Sequence, residues 1–272
     1  MSDHRGLQRA LFRMQMDPAF AARVFAREGE ALGSLALARE DQELLLALDP
    51  AAVAADPGDQ RKRQLQGNLA GEYGLTAAAG PEDLLPAFLS SPEFHAAVAR
   101  DGLLPVAFGD YAGRRLRDQG RGLLPGLCAL ERAMVLLRRR PGPPVRPAPG
   151  ELRLSHRAAL VRLSDGTLAF AAALRDALEQ RGSAAARLRP APSDPGAGEE
   201  TVLLLADPAP PHALPDVRPE RLSPAVALLL ERAQAGLTSA GRAELAAELG
   251  AEPEDVDAFA AELTAEGVLV SG

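Results

Sequence analysis

A proline- and glycine-rich stretch, Pro141-Gly142-Pro143-Pro144 through Pro149-Gly150, separates two parts of the chain that differ in hydrophobic period. Proline fixes φ and has no amide donor, so such a run neither continues a helix nor sits inside a sheet. It reads as a linker. Before it, apolar residues recur at helical spacing. After it, extended segments alternate with helices. A length of 272 residues suits two domains of ordinary size. The expected organisation is an all-helical domain over 1–140, a linker over 141–150 and a second domain over 151–272.

Only 4% of the residues are aromatic and Trp is absent, so the core has to be built mostly from Leu, Ala and Val. Ala and Leu carry the best helix propensities. The first part of the chain agrees. A helix is expected over Gly6–Met14, and a second opens at Asp17-Pro18, an N-cap followed by proline at the first helical position, with Phe20, Val24 and Phe25 inward. Arg39-Glu40-Asp41-Gln42-Glu43 leads into Leu44, Leu45, Leu46 and Leu48, an acidic first turn before an apolar run that Asp49-Pro50 ends. Further helices are expected over Asp59–Tyr73, Pro81–Leu89 and Ser91–Arg100, the last with Phe94 and Val98 inward. Another covers Leu103–Arg117, interrupted near Pro105. Pro125 opens a strong helix with Leu127, Leu130, Met134 and Leu137 on one face.

Beyond the linker, Leu152, Leu154 and Ala159–Leu163 read as extended, with Ser164-Asp165-Gly166-Thr167 as a turn before a helix over Leu168–Gln180. Pro190–Gly198 reads as a loop, Thr201–Leu205 as the clearest strand, and Pro208–Pro219 as proline-rich and irregular. Ser223-Pro224 caps a helix that Gly236 ends. Thr238–Leu249 is a second helix ended by Gly250. Glu252-Pro253 opens a third, with Val256, Phe259 and Leu263 on one face, and Val268–Val270 follows as a short strand. Three short helices and a strand give the order of a winged helix-turn-helix. The expected fold is thus mainly α within the α+β class: an N-terminal helical bundle and a winged-helix-like C-terminal domain with a small β-sheet.

Little in the chain points to catalysis. His4, His95, His156 and His212 have no second His or Cys at metal-ligand spacing. No nucleophile elbow, Walker loop or dinucleotide fingerprint occurs. Cys128 is the single cysteine, which excludes an intrachain disulfide, and its place beside an apolar stripe predicts a buried thiol. No catalytic residue, metal site or cofactor is expected in this chain, and a non-enzymatic role follows. Residues Met1–Arg13 are charged and lack the apolar centre of a signal peptide. No apolar run approaches the roughly 20 residues that cross a bilayer. The cytoplasm is the expected compartment, with no membrane partner.

Charge decides between the uses of a winged helix. Residues 1–140 carry 18 basic and 18 acidic side chains, 141–219 carry 9 of each, and 220–272 carry 3 basic and 10 acidic, the whole net charge of -7. Affinity for DNA depends on Lys and Arg meeting phosphates. The third C-terminal helix, which would enter the major groove, instead brings Glu252, Glu254, Asp255, Asp257, Glu262 and Glu266, with no basic residue. Nucleic acid is therefore a poor electrostatic match, and a DNA-binding transcription regulator is the alternative reading. A strand edge offers another use, since a peptide can add to it as a further strand. Thr201, Val202, Leu203, Leu204 and Leu205 are the candidate edge. Arg114, Arg115, Arg117 and Arg121 form a basic cluster able to meet an acidic peptide or a partner protein.

Two stretches resemble a known family. The run Thr201-Val-Leu-Leu-Leu, Leu222-Ser-Pro, Leu228-Leu-Leu, Gly236-Leu-Thr, Val256–Leu263 and Glu266-Gly-Val-Leu resembles the PqqD-like domains that present precursor peptides to modifying enzymes. Leu123-Leu-Pro-Gly-Leu-Cys-Ala-Leu-Glu-Arg-Ala-Met, with Phe108-Gly-Asp-Tyr before it and Gly6-Leu-Gln-Arg-Ala-Leu at the start, resembles the helical domain of partner proteins of multinuclear non-haem iron-dependent oxidases, a domain named for DNA binding. Residues Leu152–Pro219 match that pattern poorly. The resemblance implies an accessory subunit in the biosynthesis of ribosomally made, post-translationally modified peptides. The oxidase would hold the iron, and this chain would bind the oxidase and the precursor peptide.

Overall fold

The computed structural model describes residues 4–27, 31, 33, 37–54, 57–100, 102–139, 146–181, 196, 198–210 and 213–272. The chain is mainly helical with small antiparallel sheets, the class expected. Its contacts gather into two compact units, Met1–Arg115 and Leu116–Gly272. That division falls ahead of the 141–150 stretch at which the hydrophobic period changes. No helix among the described residues is long and apolar enough to cross a membrane.

The first unit contains α1 (His4–Met16), α2 (Pro18–Phe25), α3 (Arg39–Leu46), α4 (Pro50–Ala54), α5 (Pro57–Glu72), α6 (Gly74–Ala79), α7 (Leu84–Leu89), α8 (Pro92–Ala99) and most of α9 (Leu104–Asp118). Its caps are those the sequence announces. Asp17 Oδ1 accepts from the Phe20 amide at 2.9 Å, and Ser91 Oγ from the Phe94 amide at 3.2 Å. Helix α1 touches α2, α3, α4, α5 and α8. Its Ala10 and Met14 join Phe20, Val24, Leu45 and Val53 in one buried cluster. The scarce aromatic residues gather in another place. Tyr73 and Phe108 meet edge to face at 4.9 Å, Phe88 and Phe108 at 5.3 Å, and Phe88 and Phe94 at 5.5 Å. Each such pair contributes about 0.5–1.5 kcal/mol beyond burial. The Tyr73 hydroxyl donates to the Pro105 carbonyl at 2.6 Å. Pro105 stands in the first turn of α9, where a missing amide leaves nothing unpaired. Helix α9 therefore runs unbroken through the expected interruption.

The second unit contains α10 (Leu124–Arg138), β1 (Leu152–Leu154), β2 (Ala158–Ser164), α11 (Thr167–Arg181), β3 (Glu199–Ala206), β4 (Val217–Arg221), α12 (Pro224–Ala235), α13 (Ser239–Leu249), α14 (Pro253–Ala265) and β5 (Leu269–Ser271). Strands β2, β3 and β4 form an antiparallel sheet in that order, and β1 pairs with β5. Strand alternation sorts the sheet's side chains. Ala158, Leu160, Leu203 and Leu205 fall on one face and pack into the cluster formed by α12, α13 and α14. Val202, Leu204, Ala206, Leu163 and Val217 fall on the other and are buried. Helix α10 touches all three strands and α11. The sheet is thus a middle layer, with α10 and α11 on one side and α12–α14 on the other. Helix α10, which the sequence places last in the first domain, is the cover of this sheet.

The C-terminal helices follow their signals. Ser223 and Thr238 cap α12 and α13. Gly250 ends α13 with φ 66°, the left-handed conformation that favours glycine. Val256 and Leu263 of α14 are buried and Phe259 packs beside them. Cys128 is buried, as its position in the stripe predicts. Strand β4 occupies the end of the stretch expected to be irregular. The expected loop Pro190–Gly198 lies outside the described residues except for Gly196 and Gly198, as do 141–145 of the linker and His212.

Candidate functional site

Thr201–Leu205 does not form an edge. These residues lie in β3, the centre of the three-stranded sheet, with β2 on one side and β4 on the other. Thr201 opposes Arg162 in β2, and its carbonyl accepts from the Leu222 amide at 3.0 Å. Val202–Leu205 are paired with both neighbours. Val202, Leu203 and Leu204 are buried. The expectation of an edge strand is therefore corrected, and the physical reason was in the sequence. An uninterrupted apolar run is what a strand covered on both faces requires, whereas a half-exposed edge alternates.

The two edges of this sheet are β2 and β4, and their main chains differ. In an antiparallel ladder, residues alternate between pointing both polar groups at the neighbour and pointing both away. The Ala206 amide bonds the Arg157 carbonyl at 2.8 Å and the Asp165 amide bonds the Gly198 carbonyl at 2.9 Å. Those bonds fix the phase: residues 157, 159, 161 and 163 face β3, and residues 158, 160, 162 and 164 face outward. The Ala158 amide is taken by the Ser155 carbonyl, and the Ser164 carbonyl by the Thr167 hydroxyl. Leu160 and Arg162 each turn an amide and a carbonyl to the outer side, where no strand pairs among the described residues.

On β4 the same reasoning starts from the Leu222 amide on the Thr201 carbonyl and the Asp207 amide on the Asp216 carbonyl. It turns residues 217, 219 and 221 outward. Pro219 has no amide, and the Val217 amide bonds the Asp216 carboxylate at 2.9 Å. This edge is blunted in the way that keeps sheets from pairing further.

Charged side chains brace the sheet. Arg162 holds Glu231 of α12 at 2.8 Å, and that carboxylate, with Glu199 as a weaker contributor, makes the guanidinium hold its proton more tightly than usual. Glu200 is buried on the opposite face. Its Oε1 accepts from the Leu168 amide at 2.7 Å at the start of α11, and its Oε2 lies 3.6 Å from Arg221. Arg221 also holds Asp165 at 2.9 Å. None of these residues was singled out from sequence, because each is assembled from strands far apart in the chain.

The four arginines of the proposed basic cluster differ in their partners. Arg114 is bound to Glu93 at 2.7 Å. Arg115 donates to Tyr111 and holds Asp83 at 2.5 Å, and both raise its affinity for the proton. Arg117 and Arg121 are exposed. On α14, Glu254, Asp255 and Glu262 are exposed, and Asp257 is bound to Arg242. A cleft of about 380 Å³ beside β1 is lined by Glu151, Arg242, Asp257 and Ser271 among others, and its charges are already paired, Glu151 with Arg153 at 3.0 Å. That arginine and the Ala148 amide hold the Glu151 carboxyl below the usual range.

Charge is uneven along the second unit. From Leu116 to Ser164 the chain has ten basic and three acidic residues, and from Glu220 to Gly272 it has three basic and ten acidic. Within the first stretch α10 and β2 themselves carry Arg132, Arg138 and Arg162 against Glu131, and the second stretch supplies the helices on the other side of the sheet. The described residues therefore bring together a sheet with one unblocked edge and, on one of its faces, an acid-rich layer of helices, α12–α14. No protein-family model matches the chain and no curated protein matches it, so what this sheet does has to be argued from its own residues.

Proposed function

We propose that the chain is a non-catalytic adaptor: it binds a ribosomally synthesised precursor peptide and presents it to a multinuclear non-haem iron-dependent oxidase, which holds the iron and modifies the peptide. In this reading residues 151–272 with α10 act as a winged-helix-like, PqqD-like peptide-recognition module, and the protein works in the cytoplasm. The observation that carries it is the surface of α14. A helix in that position would meet DNA phosphates with exposed Glu254, Asp255 and Glu262, and like charges repel. A polypeptide has no such requirement, and the sheet of the same module has an open main-chain edge to offer it. Holding substrate and enzyme on one scaffold raises their effective concentration for each other to the millimolar range, of order ~1 mM for short flexible tethers.

The test is co-expression with an oxidase and a short precursor encoded beside this chain, followed by affinity purification and calorimetry with each component. Binding of both is expected. Failure of both to bind, or tight and sequence-selective DNA binding in a low-salt gel shift, overturns the reading.

A further inference from the structure

We infer that two copies of this chain join edge to edge through β2, antiparallel and centred on a facing pair of Val161 residues, so that two three-stranded sheets become one continuous sheet. This goes beyond the adaptor reading and does not rest on it; a peptide at the same edge would have to displace the second copy.

The open edge is matched to itself. Antiparallel strands bond only where residues that face outward on both meet. On β2 these are Ala158, Leu160, Arg162 and Ser164. Two of their groups are already used inside the chain, the Ala158 amide by the Ser155 carbonyl and the Ser164 carbonyl by the Thr167 hydroxyl. A two-fold axis at Val161 sets Leu160 opposite Arg162 of the other copy, and each gives the other an amide and a carbonyl. The same axis sets Ala158 opposite Ser164. There the Ser164 amide meets the Ala158 carbonyl, and the two groups already used face each other. No donor is left without an acceptor. Other centres fail that test. An axis at Leu160 points the Arg162 carbonyl at the used Ala158 amide. An axis at Arg162 points the Leu160 amide at the used Ser164 carbonyl and sets two guanidinium groups face to face.

Packing and charge agree with the same centre. Ala159, Leu160 and Val161 are only half-buried. At the axis Val161 meets its own equivalent in the closer, non-hydrogen-bonded kind of pair, and Ala159 faces Leu163. Arg162 brings its own counter-charge, Glu231 at 2.8 Å, so it asks no carboxylate of the other copy and can lay its stem along Leu160. Just past each end, Arg157 falls opposite Asp165, opposite charges and not like ones. The remaining edge of the sheet is unsuited: β4 is blunted by Pro219 and Asp216, whereas β2 has neither proline nor bulge.

The experiment is sedimentation equilibrium of the full-length chain, with hydrogen exchange at rising concentration. A monomer–dimer equilibrium with nothing larger is expected. The Leu160 and Arg162 amides should gain protection with concentration, while that of Val161, turned to β3, should not change. Val161→Glu and Val161→Lys leave the outward groups in place and put like charges across the axis, so each should weaken the dimer at least about tenfold, and mixing the two should restore it. Val161→Cys should cross-link under oxidised glutathione, because Cα atoms of such a pair stand about 4.5 Å apart, within reach of a disulfide. Arg162→Cys should not, because that residue meets its equivalent only on the diagonal, at roughly 7–8 Å.

A chain that stays monomeric at every concentration at which it dissolves overturns the inference. So does a dimer whose protected amides lie outside 158–164, a dimer that folded Val161→Glu and Val161→Lys each form as tightly as the parent, or assembly beyond the pair. Exchange on the unmodified chain decides the matter should the Val161 variants not fold.

Discussion

Gly126 and Thr167 meet where the first turn of α10 rests on the start of α11. A methyl group on Gly126 would stand 2.6 Å from Thr167 Oγ1 and 3.2 Å from its Cγ2. Thr167 cannot move aside easily, because it is fully buried and its hydroxyl donates to the Ser164 carbonyl at 2.7 Å. Gly126→Ala is therefore expected to destabilise the second unit by about 1–3 kcal/mol in urea titration, the usual range for overpacking. Combined with Thr167→Ala, the cost should fall below the sum of the two single effects, because the side chain in the way is gone. Strict additivity would show that the two residues do not press on each other. Single residues were legible in the sequence where their effect is local. Asp17, Ser91, Ser223 and Gly250 act on amides and carbonyls within a few residues, so their roles follow from spacing alone. Gly126 acts on a residue 41 positions away, and nothing in its own neighbourhood distinguishes it from a glycine that weakens a helix.

Secondary-structure elements were readable in type and less so in pairing. Most helices follow apolar stripes and caps, whereas the short α4 and α6 carried no such signal, Asp49-Pro50 reading only as the end of α3. The strand β4 was hidden by Pro219 and the prolines before it, which signal irregular chain unless the strand lies at an edge. The central place of β3 was written in its run of apolar residues and was misread as an offer of an edge. Glu200 ties these elements together: it sits in β3, caps α11 through the Leu168 amide and approaches Arg221 of β4. Glu200→Gln keeps an acceptor for that amide and should cost little in thermal denaturation. Glu200→Leu leaves the amide without its partner and should cost about 1–3 kcal/mol. Equal losses from the two variants would show that the ionic contact with Arg221, not the cap, is what matters.

At the scale of the molecule, composition gave the mainly helical class, and the contacts divide the chain at Leu116, ahead of the proline-rich stretch. The proline-rich stretch marks a change of local period. It does not mark where contacts cease, because α10 precedes it in sequence and covers the sheet that follows it. A fragment starting at Leu116 is accordingly expected to unfold cooperatively, with dispersed amide resonances. One starting at Glu151 exposes Val202, Leu204 and Val217 and is expected to aggregate or stay molten. Cooperative folding of the shorter fragment would show that α10 is dispensable. The proline in β4 also sets a limit on growth. A sheet that can be extended at one side only resembles a chain terminator in polymer chemistry: two copies joined through β2 would present only their β4 edges, blunted by Pro219 and Asp216, so self-association through this sheet stops at the pair instead of propagating into a fibre.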